Sequence, residues 1–525
     1  DYVIDSFNQN LPFDQFTREQ LAGDLFPDPS IEQKIATGYN RVLQTSHEGG
    51  VQPKEYMAIY AADHVRNLSV VWMGGTMGCA QCHDHKFDPY TMKDFYSMAA
   101  FFADIDENRH LKGGRDISPT VREPELIIGD DAKVAQRLEL EDRHERLRQR
   151  LKKAKASKDE NRAETIEKQM AGLKAEIDSL SSETRKTMIT VAIDPREMRV
   201  LPRGNWLDDS GEIVSPAIPE FLGKLDTNGT RATRMDLANW LTDANSGVGG
   251  LTARVIANRF WYLCFGRGIA GALDDFGGQG EAPSHPELLD ALAVEFVESG
   301  WDVKGLMKLI VMSRAYRQSS SESPEIRDRD PMNQLISHQA RFRYPAESVR
   351  DSALMISGLL VLKVGGESVH PYQPKGYYKH LSFPVREYVA DTDERQWRRG
   401  VYMHWQRQYL HPMLKAFDAP SREECTVQRP RSNTALASLV LLNDPTFTEA
   451  SRAFAARIVK EGGSTTADRL NFAFRQAASR IADAEEQRVL VDLLAKSEQY
   501  YQENEQAAEE VLAIGHAPAP SDIDK

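Results

Sequence analysis

Two of the chain's four cysteines and two of its thirteen histidines fall within the seven residues Cys79-Ala80-Gln81-Cys82-His83-Asp84-His85. Two thiols separated by two residues can each form a thioether to a vinyl group of one porphyrin, and a histidine directly after them can bind the iron axially. Cys79, Cys82 and His83 fit that spacing without a gap, so covalent haem c is the expected cofactor and His83 the expected axial ligand to the haem iron. The alternative is a structural zinc site, because a C-x-x-C pair also opens many zinc motifs. Zinc would want a second ligand pair, and the other cysteines, Cys264 and Cys425, are isolated and distant in sequence.

His85 stands two residues beyond His83, a spacing that does not put both imidazoles on one face of a helix. It is therefore expected as a cofactor-binding group of another kind, hydrogen-bonded to a haem propionate or to a substrate. The sixth iron position, if filled, needs a histidine or methionine from elsewhere. Met73, Met77, His64 and His110 are the candidates nearby in sequence. An open sixth position would point to catalysis or ligand sensing, a filled one to electron transfer.

Helices must position this turn. Apolar residues at Ile4, Phe7 and Leu11, then at Phe16, Leu21 and Leu25, predict short amphipathic pieces punctuated by Pro12, Pro27 and Pro29. A helix over Glu55–Trp72 is expected to stop near Gly74-Gly75 and deliver the chain to the motif, and Thr91–Phe102 supplies a second apolar wall. Residues 130–182 change character. Leu147, Leu151, Ala154, Ile166, Met170, Leu173, Ile177 and Leu180 follow a coiled-coil seam in a Lys-, Arg- and Glu-rich background, and the polar Ser157–Asn161 break turns it into an antiparallel hairpin. Alternation over Thr187–Val200 predicts a strand, followed by loop from Pro202 to Pro219. Helices return over Met235–Leu241, Ala253–Leu263, Pro286–Ser299, Val303–Tyr316, Ser432–Lys460 and Ala467–Gln499, with a frayed tail after Ala507. The expected fold is mainly α and multidomain: a helical haem-binding domain (1–125), a helical hairpin insertion (126–185), a small β element in a linker (186–228) and a larger helical C-terminal domain (229–525).

The second half holds two further clusters. Asp274-Asp275-Phe276-Gly277-Gly278-Gln279-Gly280 and His285 combine carboxylates, glycines and an imidazole, which makes Asp274, Asp275 and His285 candidate catalytic groups for acid–base chemistry. Paired loop carboxylates more often cap helices or pair with arginine. Between Arg341 and Asn433, arginines and aromatic residues lie in irregular backbone, a pattern suited to an anionic or sugar-like ligand and, with the greater weight, to a buried ion-pair lattice.

Composition narrows the classes. A chain of 525 residues with 41% hydrophobic and 27% charged residues is expected to form more than one globular core. A formal net charge of -13 argues against a nucleic-acid binder. No apolar run is long enough to span a bilayer. Asp1 is not an initiator residue and no signal peptide is visible, so the chain reads as a mature or trimmed product. Haem c attachment takes place outside the bacterial cytoplasm, which predicts a periplasmic or cell-surface location.

Phe13-Asp14-Gln15-Phe16, Glu19-Gln20-Leu21-Ala22-Gly23-Asp24 and the Cys79–Pro89 string resemble the planctomycete cytochrome-type domain. Asn258–Gly280, Pro283-Ser284-His285-Pro286-Glu287-Leu288-Leu289, Gly300-Trp301-Asp302, Ser432-Asn433-Thr434 and Leu441-Leu442-Asn443-Asp444-Pro445 resemble the planctomycete-specific domain that follows it. The resemblance implies an exported c-type cytochrome associated with the breakdown of complex polysaccharides. It further implies a redox partner protein or an upstream cytochrome domain and a possible glycan ligand, and it supplies no catalytic residue. A non-catalytic glycan- or envelope-binding scaffold with zinc at the motif is the alternative.

Overall fold

The computed structural model describes residues 1–43, 52–111, 121–181, 183–381 and 385–518. The architecture is mainly α, as expected, and divides into two compact units, Tyr2–Ala340 and Arg341–Lys525, with Asp1 joining the second.

The first unit begins with α1 (Tyr2–Gln9), α2 (Phe13–Ala22) and α3 (Ile31–Ala36), the last started by a reciprocal cap between Ser30 and Gln33. Helix α4 (Pro53–Leu68) has proline in its first turn, where the missing N–H costs nothing. It runs on into a wider π turn over Ser69–Met73, and Gly74 ends it in the left-handed region at φ 55°. Thr91 and Asp94 cap each other's backbone to start α5 (Met92–Ala100), and a short α6 (Glu107–His110) follows.

The core of this unit joins distant parts of the sequence. Val65, Leu68 and Trp72 pack with Phe95, Phe101 and Phe102, and against them lie apolar faces from α9 (Arg234–Thr242), α10 (Gly249–Phe265), α11 (Pro286–Glu298) and α12 (Val303–Met312). A short α13 (Pro324–Arg329) follows them. Helices α9 to α12 thus share one core with the N-terminal helices.

The helical hairpin consists of α7 (Asp131–Ala156) and α8 (Glu160–Ser181), turned by Ser157-Lys158-Asp159 with Lys158 at φ 57°. Ala154, Ile166 and Leu173 are buried in its seam. Its base is an antiparallel ribbon that sequence patterning did not predict on the leading side: β1 (Glu125–Ile128) pairs with β2 (Arg185–Met188), Ile128 opposite Arg185. The single strand predicted over 187–200 is instead two short ones, β2 and β3 (Met198–Arg199), the latter paired with β4 (Ile213–Val214). Between them the backbone bonds elsewhere, Thr190 N to Thr37 Oγ1 at 2.8 Å and Ile193 N to Asp104 O at 2.7 Å, and Pro195 has no N–H to give a ladder.

The second unit contains α14 (Ala346–Ser357), α15 (Pro412–Ala416), α16 (Ala435–Asn443), α17 (Pro445–Glu461), α18 (Thr466–Ala478), α19 (Ala484–Glu503) and α20 (Glu505–Leu512). Pro445 splits the predicted 432–460 helix, Asp444 both ending α16 and capping α17. Past Ala507, where the sequence predicts fraying, α20 continues to Leu512 and the N–H groups of His516 and Ala517 donate to the buried carboxylate of Glu449.

A candidate haem-attachment turn

The π turn leaves carbonyls without helical partners, and Arg259 of α10 reaches across to satisfy them, donating to Val70 O at 2.6 Å and Val71 O at 2.9 Å. Gly74 O then accepts from Phe276 N at 2.7 Å, so tightly that a Cβ on Gly74 would sit 2.8 Å from the Phe276 ring. Only glycine combines this backbone conformation with so close an approach. The chain next enters a single 3₁₀ stretch over Met77–Gln81.

Three residues per turn decides what the motif displays. Residues three apart eclipse each other in a 3₁₀ turn, so Met77 and Ala80 share the side that is buried in the core, while Cys79 and Cys82 share the side open to solvent. His83 follows them and is also exposed. Its Nδ1 lies 2.7 Å from Asp84 O. A carbonyl oxygen only accepts, so Nδ1 carries the proton and the Nε2 lone pair is left available to a metal. Two thiols on one side and an imidazole with Nε2 presented are the donor set that covalent haem requires, and the three residues fit it.

His85 has a different place. It is buried, its Nδ1 accepts from Asp88 N at 2.9 Å, and its backbone N–H donates to Tyr90 O at 2.8 Å. Its ring therefore ties the loop after the motif into shape. Asp88 Oδ1 in turn accepts from Gly278 N at 2.7 Å, and a Cβ on Gly277 would fall 2.5 Å from the same oxygen. The glycines of the 274–280 segment thus let this backbone dock against the motif loop. Asp275 Oδ1 accepts from Gly277 N at 2.8 Å within its own turn, and His285 Nδ1 contacts Ser284 Oγ at 3.0 Å. Among the described residues no hydrogen bond or ion pair joins Asp274, Asp275 and His285 to one another. Burial, with Asp88, Asp275 and Asp94 nearby, pushes the Tyr90 phenol up to about 12.

Three of the four candidate sixth ligands have other surroundings. Met73 and Met77 are core residues. His64 is buried, stacks on Phe102 with centroids 4.5 Å apart, and meets Glu107 Oε1 through Nε2 at 3.2 Å. Arg196 approaches the other Glu107 oxygen at 3.0 Å, as an ion pair rather than an aligned hydrogen bond. The His110 side chain lies outside the described residues. Among the described residues no group of three or more His, Cys, Asp and Glu side chains is placed to hold a metal ion.

Neighbours that patterning did not single out complete the turn. Tyr96 Oη donates to Gln81 O at 2.9 Å, and Gly204, at φ 71°, passes so close to Cys82 that a Cβ there would meet Sγ at 2.8 Å. The glycine in Pro202-Arg203-Gly204 was the one legible sign of that approach. In the second unit, the arginine cluster forms a structural lattice: buried Arg350 donates to the Gln396 and Arg398 carbonyls, Arg398 donates to those of Lys363, Gly365 and Glu367, and Arg343 pairs with Asp418.

Residues 1–107 match the family model PSCyt2, a protein of unknown function (DUF1549), and residues 233–494 match PSD1, a protein of unknown function (DUF1553). Both are planctomycete-associated domains. No curated protein and no solved structure matches the chain.

Proposed function

We propose that this chain is an exported c-type haem redox protein, in which Cys79 and Cys82 would carry the haem through thioethers and His83 Nε2 would hold its iron. The observation that supports this reading most strongly is the 3₁₀ turn, which puts both thiols on one exposed side while the Asp84 carbonyl fixes the proton of His83 on Nδ1. Haem bound there would supply one-electron transfer. The polypeptide's part is to orient the imidazole through Asp84, to hold the turn through Tyr96 and Arg259, and to anchor the following loop through His85 and Asp88. Attachment of haem c places the protein in the periplasm or at the cell surface. Its electrons would pass to a partner protein or another cytochrome domain, in a context of polysaccharide breakdown that comes with the family resemblance.

The test is production of the chain by export in a host with the haem c attachment apparatus. The purified protein should show a Soret band that survives acid-acetone extraction. A colourless protein, or one containing zinc in place of iron, would refute the proposal and favour a metal-stapled scaffold.

A further inference from the structure

Glu449 on α17 is a fully buried carboxylate whose two oxygens have different partners. Its Oε2 accepts from the Tyr372 hydroxyl at 3.1 Å and from Trp397 Nε1 at 3.0 Å, both groups of the second unit's own framework. The Tyr372 backbone is held in turn, its N–H donating to Gln396 Oε1 at 3.2 Å and its carbonyl accepting from His411 Nε2 at 2.7 Å. Glu449 Oε1 is thereby fixed and turned to the C-terminal segment, where it accepts from His516 N at 2.5 Å and from Ala517 N at 2.6 Å. Arg452, three residues further along α17, donates to Ala517 O at 2.5 Å. An acceptor aimed at two successive N–H groups and a cation aimed at the following carbonyl read main chain. Two side-chain features add selectivity. The His516 ring lies against Tyr372 with centroids 5.4 Å apart, and Gly515 has φ 94°, where a Cβ would run into the Glu449 carboxylate.

The chain that leads from α17 to this contact buries little of its own. None of the residues of α18, α19 and α20 is buried, and Val489, Val491, Leu493 and Leu494 of α19 stay exposed. A segment with so little buried apolar surface opens at low cost, so the hydrogen bonds at Glu449 decide whether its end stays docked. We infer that Gly515-His516-Ala517 is a releasable strap and that the Glu449 seat is a peptide-binding site filled in cis by it. The ligand class is a short peptide with glycine followed by two residues that offer their N–H groups. Nothing in this inference depends on haem.

Gly515→Ala in the full chain tests it. Amide hydrogen exchange over α20 and residues 513–518 should rise about tenfold or more, the factor for one lost charge-assisted hydrogen bond, while α14 and α17 stay as protected as in the wild type. A fluorescent peptide of residues 511–518 should bind this variant, read by anisotropy, and bind the wild type at least about tenfold more weakly, because there the tethered strap competes for the seat. The same peptide carrying Gly515→Ala should bind neither. Should the variant fail to fold, Arg452→Gln withdraws only the donor to Ala517 O, and the exchange of residues 513–518 decides. Exchange unchanged from the wild type, exchange that rises through α14 and α17 as well, or an opened seat that does not take the peptide would overturn the inference.

Discussion

At the scale of single residues, two histidines two positions apart have opposite environments, His83 exposed and His85 buried, and the difference is measurable. His83 is exposed with Nε2 available, so His83→Ala should change the apoprotein's stability by no more than about 0.5 kcal/mol but alter the Soret spectrum of the haem-loaded chain. His85→Ala should leave the haem attached and cost about 1–3 kcal/mol, because the buried Asp88 N–H loses its acceptor. Thermal unfolding read together with the absorption spectrum separates the two. A second residue-scale effect concerns Glu107. Burial alone would raise its carboxyl, but Arg196, His64 and Arg41 together hold it below the ordinary carboxylate range. Because its folded pKa is depressed, its contribution to stability is complete above the ordinary carboxylate pKa and is lost as pH falls through the depressed value. Glu107→Gln should therefore be less stable at neutral pH and show a shallower loss of unfolding free energy from about pH 4.3 downward, measured by urea titration at several pH values. The spacing of Cys79, Cys82 and His83 was legible in the sequence because all three lie within five consecutive positions. The place of His85 was not, because a loop N–H three residues on decides it.

At the scale of elements, the helical hairpin is held by its own base. Ile128 and Arg185 face each other across the ribbon, so a two-residue Asn-Gly turn can join them in place of residues 129–184. This replacement should leave the cooperative unfolding of the first unit and the Soret spectrum unchanged, whereas loss of both would show that α7 and α8 support the core. The hairpin, the helix leading into the motif and its stop at Gly74 were all readable from heptads, caps and glycine. The ribbon under the hairpin was not, since four residues such as Glu125–Ile128 carry too little alternation to stand out. Nor was the 187–200 region, where Thr37 and Asp104 take hydrogen bonds that a continuous strand would have needed.

At the scale of the whole molecule, the two family segments do not coincide with the two compact units. The segment matching PSD1 starts at residue 233, yet α9 to α12 are built into the core of the first unit. Arg234 shows how closely. It is fully buried, and its guanidinium bridges Asp24 at 2.8 Å and Asp104 at 2.9 Å, both from the segment that matches PSCyt2. Arg234→Met would leave two nearly buried carboxylates without their cation and should cost about 3–5 kcal/mol, seen as a lower denaturation midpoint for the first unit in the intact chain. Sequence periodicity found these helices but could not say which core they join, because an apolar stripe does not name its partner. Covalent haem attachment is tested most directly by intact-mass measurement of the exported, denatured chain. It predicts the polypeptide mass plus one haem, carried on the peptide containing Cys79 and Cys82 and abolished when both are replaced by serine. An exported chain of unmodified mass, from a host that attaches haem to a control cytochrome, would contradict it.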